Sequence, residues 1–214
     1  MRVLVACEFS GIVSTAFRNL GHSVISCDLI ESEVYGEHYK GSVEDILYKG
    51  YDLMIGHPPC TYLSYAGNKY FNVEMYGEMA ERRELEKQKA LEFFKLLWEA
   101  PIKHICLENP KGYAMRMIKQ SQIINPFYFG DSERKGIYLW LKNLPPLYHS
   151  RSNTLFEKQS HVLPPEPVYT GKKKRYRTEA LNGKSEDAKK ERSRFFKGIA
   201  EAMALQWSEH IQSI

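Results

Sequence analysis

The sequence predicts an α/β protein built on a doubly wound, mostly parallel sheet. Short, continuous apolar runs at residues 3–7 and 53–55, together with the largely apolar segment 102–107, read as strands buried on both faces. Segments with helical spacing separate them, and strand–helix alternation of this kind implies parallel pairing. Each strand also ends in a corner of Gly, Pro or polar residues, and the carboxyl edge of an open sheet is where ligands bind.

The first strand, 3–7, passes at Gly11 into a short helix, 12–20, closed by Gly21. Residues 23–27 form a second strand ending at Asp28. A helical turn at 43–47 precedes the strand 53–55, which Pro58 and Pro59 stop by fixing φ. The clearest helix spans 81–99, where Leu91, Phe94 and Trp98 recur at three and four among charges. Pro101 ends it, and the strand 102–107 follows, with a later strand at 137–141. Residues 145–167 are proline-rich and mark a boundary. An amphipathic helix then runs over 194–214 through Phe195, Ile199, Met203 and Trp207. The expected division is a core at 1–144, a short basic region at 145–192 and a closing helix at 193–214. No internal repeat interrupts it.

A chain of 214 residues suits one domain with a sizeable core. No apolar run approaches the ~20 residues a membrane span needs. Residues 1–7 read as a strand, too short in apolar length for a signal peptide. Cys7, Cys27, Cys60 and Cys106 stand far apart with no CxxC pair, which argues against a metal site and a disulfide framework. A reducing cytoplasm is the expected setting. The net charge of +4 permits a nucleic-acid partner without requiring one. That charge is concentrated late in the chain, where Lys172, Lys173, Lys174 and Arg175 open a run of cations around Tyr176. The run is either a solvated face or an adaptable loop for phosphates; the interleaved tyrosine and the Gly and Asn breaks favour phosphates.

The chemistry-bearing residues stand at the strand ends. Cys60 projects from the stiff Pro58-Pro59 corner and is a candidate nucleophile. Its bland alternative is a small buried cysteine. His57 beside it would lower the thiol pKa or would simply pack the loop. Phe9, Ser10, Gly11 and Ile12 turn the first strand into a helix, and the glycine lets backbone approach a bound small molecule at the helix start. Asp28 is suited to ribose hydroxyls and equally to capping a turn. Glu108 and Asn109, with Pro110, end another strand. A carboxylate there is unusual for a core residue and otherwise caps a following helix.

The stretch Gly56-His57-Pro58-Pro59-Cys60-Thr61-Tyr62-Leu63-Ser64-Tyr65-Ala66-Gly67 resembles cytosine-C5 DNA methyltransferases. Those enzymes carry Gly-Gly-Pro-Pro-Cys-Gln-x-Phe-Ser-x-Ala-Gly. Pro-Pro-Cys and Ser-x-Ala-Gly keep their spacing, while His57, Thr61 and Leu63 depart. Cys7-Glu8-Phe9-Ser10-Gly11 resembles the family's Asp-x-Phe-x-Gly-x-Gly, with Val13 at the second glycine and Glu8 where many relatives have Leu. Glu108-Asn109 matches its Glu-Asn-Val, with Pro110 for Val. Residues 129–135 resemble Phe-Gly-x-x-Gln-x-Arg-x-Arg, with the arginine spacing displaced by one. The resemblance covers about residues 1–141 in the family's order. Beyond it only about fifty residues are left for target recognition, and no Gly-Asn motif closes the chain.

The resemblance implies the sheet of S-adenosylmethionine-dependent methyltransferases and methyl transfer to C5 of cytosine in DNA. Cys60 would be the nucleophile, Glu108 the proton donor and Arg134 a contact to the ring oxygen or a phosphate. S-adenosylmethionine would lie against Phe9, Ser10, Gly11, Ile12, Asp28, Leu29, Ser42, Val43 and Pro58. Ser42 stands where the family has an acid. The DNA, with its cytosine flipped out, would meet Ser64, Asn109, Lys135, Lys172, Lys173, Lys174 and Arg175. A bacterial or phage-encoded setting is expected.

Two alternatives stand beside this reading. One keeps the chemistry on another cytosine substrate (a nucleotide, RNA or single-stranded DNA) or uses a modified cofactor. The other is a non-catalytic nucleic-acid-binding protein on the same scaffold. An amino-methyltransferase is weaker, since its loop needs an acid, amide or serine before Pro-Pro and an aromatic after it.

Overall fold

The structure, a computed structural model, describes residues 1–149, 168–170, 173–175 and 186–213. Two compact units make up the chain. One comprises Met1–Gly11, His22–Ile123 and Ile137–Pro146; the other comprises Ile12–Gly21, Ile124–Gly136 and Leu147–Ile214.

Seven strands form the sheet: β1 Arg2–Ala6, β2 Ser23–Asp28, β3 His38–Lys40, β4 Leu53–Gly56, β5 His104–Asn109, β6 Gln122–Ile124 and β7 Ile137–Lys142. Their order is β3-β2-β1-β4-β5-β7-β6. The strands β1 to β5 pair in parallel, and β7 runs antiparallel to β5. The order reverses between β1 and β4, so this is the doubly wound, mostly parallel Rossmann-like sheet that the sequence predicts. Central position explains the apolar runs: Val3 to Ala6 and Leu53 to Ile55 are fully buried. The helix α3, Glu78–Glu99, adds Phe94 and Leu97 to this core, with Phe94 edge-on to Trp140 at 5.0 Å between ring centres. Its start lies three residues earlier than expected, and of the inner face read from the sequence Phe94 is buried, Leu91 and Trp98 are half-buried, and Leu97 joins it. A single turn, α2 at Val73–Tyr76, precedes it, capped by the Asn72 side chain.

β5 differs most from expectation. It runs on through Glu108 and Asn109, which the sequence pattern places after the strand. The reason is β7: Glu108 pairs with Leu139 and Asn109 with Tyr138, so the antiparallel neighbour carries the ladder past the end of β4. Among the short elements, β3, β6 and the turn α4 at Ala114–Met117 lack a readable period.

In the second unit, α1 (Ile12–Arg18) packs on a long helix at Lys197–Gln212. That helix buries Ile199, Met203 and Trp207 as expected, although Phe195 precedes it. The Asp131 carboxylate accepts from the Gly198 N–H at 2.9 Å and so caps its first turn. Gly198 has no room for a side chain, since a Cβ would collide with the Phe129 carbonyl. Within the basic run, expected to be a loop, Lys173–Arg175 form the strand β9, which pairs antiparallel with β8 Val168–Thr170. A helix, α5 Glu186–Ser193, follows it, so the long helix is α6. Lys172 and most of region 145–192 lie outside the described residues.

Candidate active site

In the first unit the parallel strands β1, β2, β4 and β5 end on one edge, with the reversal point between β1 and β4. Cys60 stands just past β4 and is exposed, so the bland reading of a small buried cysteine is removed. The other three thiols are less accessible and are held protonated. Burial, with the nearby Asp28 charge, pushes Cys7 up to about 12 and Cys27 up to about 11. Burial and Glu108 raise Cys106 well above the ordinary thiol range.

Three sets of contacts fix the corner that carries Cys60. The His57 N–H donates to the Ala6 carbonyl at 2.9 Å, tying the start of the corner to β1. Asn109, 1 % exposed, donates from Nδ2 to the Pro58 carbonyl at 2.7 Å, so its observed task is to hold the proline corner against β5. Beyond the thiol, the N–H groups of Leu63 and Ser64 donate back to the Cys60 carbonyl at 3.1 and 2.9 Å, closing a tight turn. That turn is strapped to the loop after β5. Tyr113 N–H donates to Leu63 O at 2.8 Å, Tyr65 N–H to Lys111 O at 3.2 Å, and Ser64 bridges Gly112. Gly112 is needed here, because a Cβ would collide with the Leu63 carbonyl.

The rest of the motif has local reasons. The Ser64 Oγ accepts from the Ala66 N–H at 3.2 Å and caps the 3₁₀ turn Tyr65–Phe71. Gly67 leaves the space where the Arg83 guanidinium lies. Glu108 projects from within β5, and its Oε2 is 3.5 Å from His57 Nδ1, with 15 % and 12 % of the two side chains exposed. The structure therefore assembles Cys60, His57, Pro58, Glu108 and Asn109 on one edge. Arg83, the Gly112 strap and the His57–Glu108 pair go unread in the sequence because their partners are 22 to 51 positions away.

The residues expected to hold the cofactor divide. Phe9, Ser10 and Gly11 are buried at the end of β1, next to a buried Glu8 that the sequence reading treated only as a departure. Gly11 has φ +70 and faces Val34, whose side chain takes the space a Cβ would need. The loop 29–37 lies over this turn, and the Glu33 N–H donates to the Phe9 carbonyl at 2.9 Å. Asp28 caps that loop, accepting from the Ile30 N–H at 3.2 Å, and burial raises its pKa. Leu29 beside it is 73 % exposed. Ser42 Oγ accepts from the Glu44 N–H at 3.3 Å, and Val43 is buried in the core. Ile12 opens α1 in the second unit.

Arg134 and Lys135 also belong to the second unit; Arg134 is exposed, and the Lys135 ammonium lies 5.8 Å from the centre of the Phe196 ring. The backbone of Lys173, Lys174 and Arg175 lies in β9. Among the described residues, no group of three His, Cys, Asp or Glu could hold a metal, and no helix is long and apolar enough to cross a membrane.

No protein-family model matches the chain, and no curated protein does. Solved structures resemble it at low identity. A DNA modification methyltransferase encoded within an E. coli prophage is 14% identical over 66% of this chain and 46% of its own, with a TM-score of 0.41. The Entamoeba histolytica methyltransferase EhMeth is 14% identical over 76% and 57%, with a TM-score of 0.44. WbdD, solved with a kinase inhibitor, is 12% identical over 71% and 40%, with a TM-score of 0.39. The chain thus spans about half the length of these structures, and such likenesses carry no argument for an activity or a substrate.

Proposed function

We propose that the protein is a methyltransferase that uses S-adenosylmethionine to methylate C5 of cytosine in DNA. One observation carries the reading: an exposed Cys60 on a rigid Pro-Pro corner, with Glu108 and Asn109 on the adjoining strand and Asn109 holding Pro58 at 2.7 Å. A nucleophile and a proton donor on neighbouring strand ends suit addition to an electron-poor ring.

The residues around Asp28 fit the cofactor. Asp28 would take the ribose hydroxyls, the exposed Leu29 would cover the adenine, and the turn Phe9–Gly11 would offer backbone. The Val34 side chain leaves no space beside the Gly11 α-carbon, so that glycine would act through its backbone alone. When bound, S-adenosylmethionine supplies an electrophilic methyl group. Cys60, as thiolate, adds to C6 of cytosine while Glu108 gives a proton to N3, and C5 becomes nucleophilic. After C5 has gained the methyl group, a base takes the C5 proton. The C6–S bond then breaks, the thiolate leaves, and N3 returns its proton to Glu108. Arg134 would contact the ring oxygen or a phosphate. In a duplex the cytosine must first leave the stack, at a cost of a few kcal/mol.

The test uses 5-fluorocytosine in duplex DNA, single strands and RNA, with dCMP as the small substrate. Fluorine cannot leave as the C5 proton does, so a covalent adduct should accumulate on the true substrate and vanish in Cys60→Ser. A Cys60→Ser protein that methylates like wild type removes the mechanism. Labelling of dCMP or RNA alone moves the activity to the alternative substrates.

A further inference from the structure

We propose that Arg83 is a positioning residue for Cys60, a role that rests on the methyltransferase reading for its catalytic meaning. Between the anchored Pro58 and the strapped Leu63 lies the short segment that carries the thiol. Arg83 reaches it from α3: its Nη2 donates to the carbonyl of Thr61, next to Cys60, at 2.8 Å. The guanidinium lies over three rings, with its carbon 5.1 Å from the centre of Tyr62, 5.5 Å from Tyr70 and 5.0 Å from Phe71. It also fills the space beside Gly67, where an added Cβ would overlap Nη2 and stand 3.2 Å from Cζ.

Tyr62, Gly67, Tyr70 and Phe71 all follow Cys60 within eleven positions, so one side chain binds both limbs of the loop. No carboxylate pairs with Arg83 among the described residues, and its buried Nε has no hydrogen-bond partner. Its charge is therefore committed to ring faces and one carbonyl. Arginine suits this task where lysine does not, since a planar fork can stack and donate in the same pose. The last glycine of Ser-x-Ala-Gly thus acquires a physical cause in this chain. It is the gap through which the clamp closes.

A double-mutant cycle tests the clamp in the full-length protein. Arg83→Ala should slow 5-fluorocytosine adduct formation by about ten- to a hundredfold, the scale of a misplaced reacting group, while affinity for DNA stays within about twofold. Arg83→Lys should fall between. Gly67→Ala, which displaces the guanidinium, should slow adduct formation as well. The double variant should be no slower than Arg83→Ala, because the clamp is already gone. Hydrogen exchange at the Leu63 and Ser64 amides, which donate to the Cys60 carbonyl, should speed up by about tenfold in Arg83→Ala. Wild-type trapping rates in Arg83→Ala, or single effects that multiply in the double variant, overturn the proposal. If wild type traps nothing, the functional reading fails, and the exchange measurement still decides the clamp: unchanged protection at both amides overturns it.

Discussion

Replacing Gly112 with alanine tests whether the strap between the two strand-end loops holds Cys60 in place. The added Cβ would overlap the Leu63 carbonyl oxygen and stand 2.8 Å from its carbon, where ordinary contact needs about 3.5 Å. Both obstacles are backbone, so the loops must part by roughly 0.7 Å or more. The bonds from Tyr113 N–H to Leu63 O, at 2.8 Å, and from Tyr65 N–H to Lys111 O, at 3.2 Å, would stretch or break. At about 0.5–1.5 kcal/mol each, their loss destabilises the chain by roughly 1–3 kcal/mol. For a chain of this length that lowers Tm by about 2–12 °C. The functional effect should be larger, because a displacement near 1 Å at a reacting group costs up to about a hundredfold. Thermal unfolding and 5-fluorocytosine trapping on the same preparation check both. A variant that melts within about 1 °C of wild type and traps at the same rate would refute the strap.

Three more outcomes are expected. Asn109→Ala leaves the Pro58 carbonyl buried without its donor and should cost about 1–3 kcal/mol in chemical denaturation; a change inside about 0.5 kcal/mol contradicts that anchor. Burial raises the folded-state pKa of Asp28 above its ordinary 3.8, so the folded chain holds this proton more tightly than the unfolded one. Its contribution to stability is complete below the ordinary value and is lost as pH rises through the raised one. Asp28→Asn should flatten the stability-versus-pH curve just above pH ~4, and an unaltered slope there rejects the assignment. Replacing Lys172, Lys173 and Lys174 with Ala should reduce the salt slope of duplex DNA binding by up to about three units, at about 0.9 per phosphate contact. An unchanged slope makes the run a solvated face.

The sequence carried the sheet and the Cys60 edge because both write themselves locally. Two prolines stop a strand wherever they stand, and buried parallel strands need unbroken apolar runs. What escaped depends on neighbours distant in the chain. The extension of β5 through Glu108 and Asn109 is imposed by β7, some thirty residues later. That Asn109 donates to the Pro58 carbonyl, and that the Leu63 backbone lies against Gly112, depends on partners about fifty positions away. Gly11 was legible as a special backbone position, but its neighbour Val34 was not. Asp28 and Ser42 show the ambiguity of short polar side chains at strand ends, where turn capping and ligand binding need the same oxygen.

The place of β1 has a consequence for how the chain is made. This strand, fully buried from Val3 to Ala6, is synthesised before the other six strands of its sheet, yet it lies near the middle of that sheet. Its partner β2 follows within about twenty residues, but its second edge pairs with β4, whose Leu53 meets Val3 fifty positions later. At ~5–20 residues per second, that edge stays open for several seconds on the ribosome. During that interval an apolar strand with unpaired backbone groups is a template for other nascent chains. Slower translation between β2 and β4 lengthens the exposure. Aggregation of newly made protein should therefore respond to codon choice across residues 29–52 more than to the stability of the finished fold.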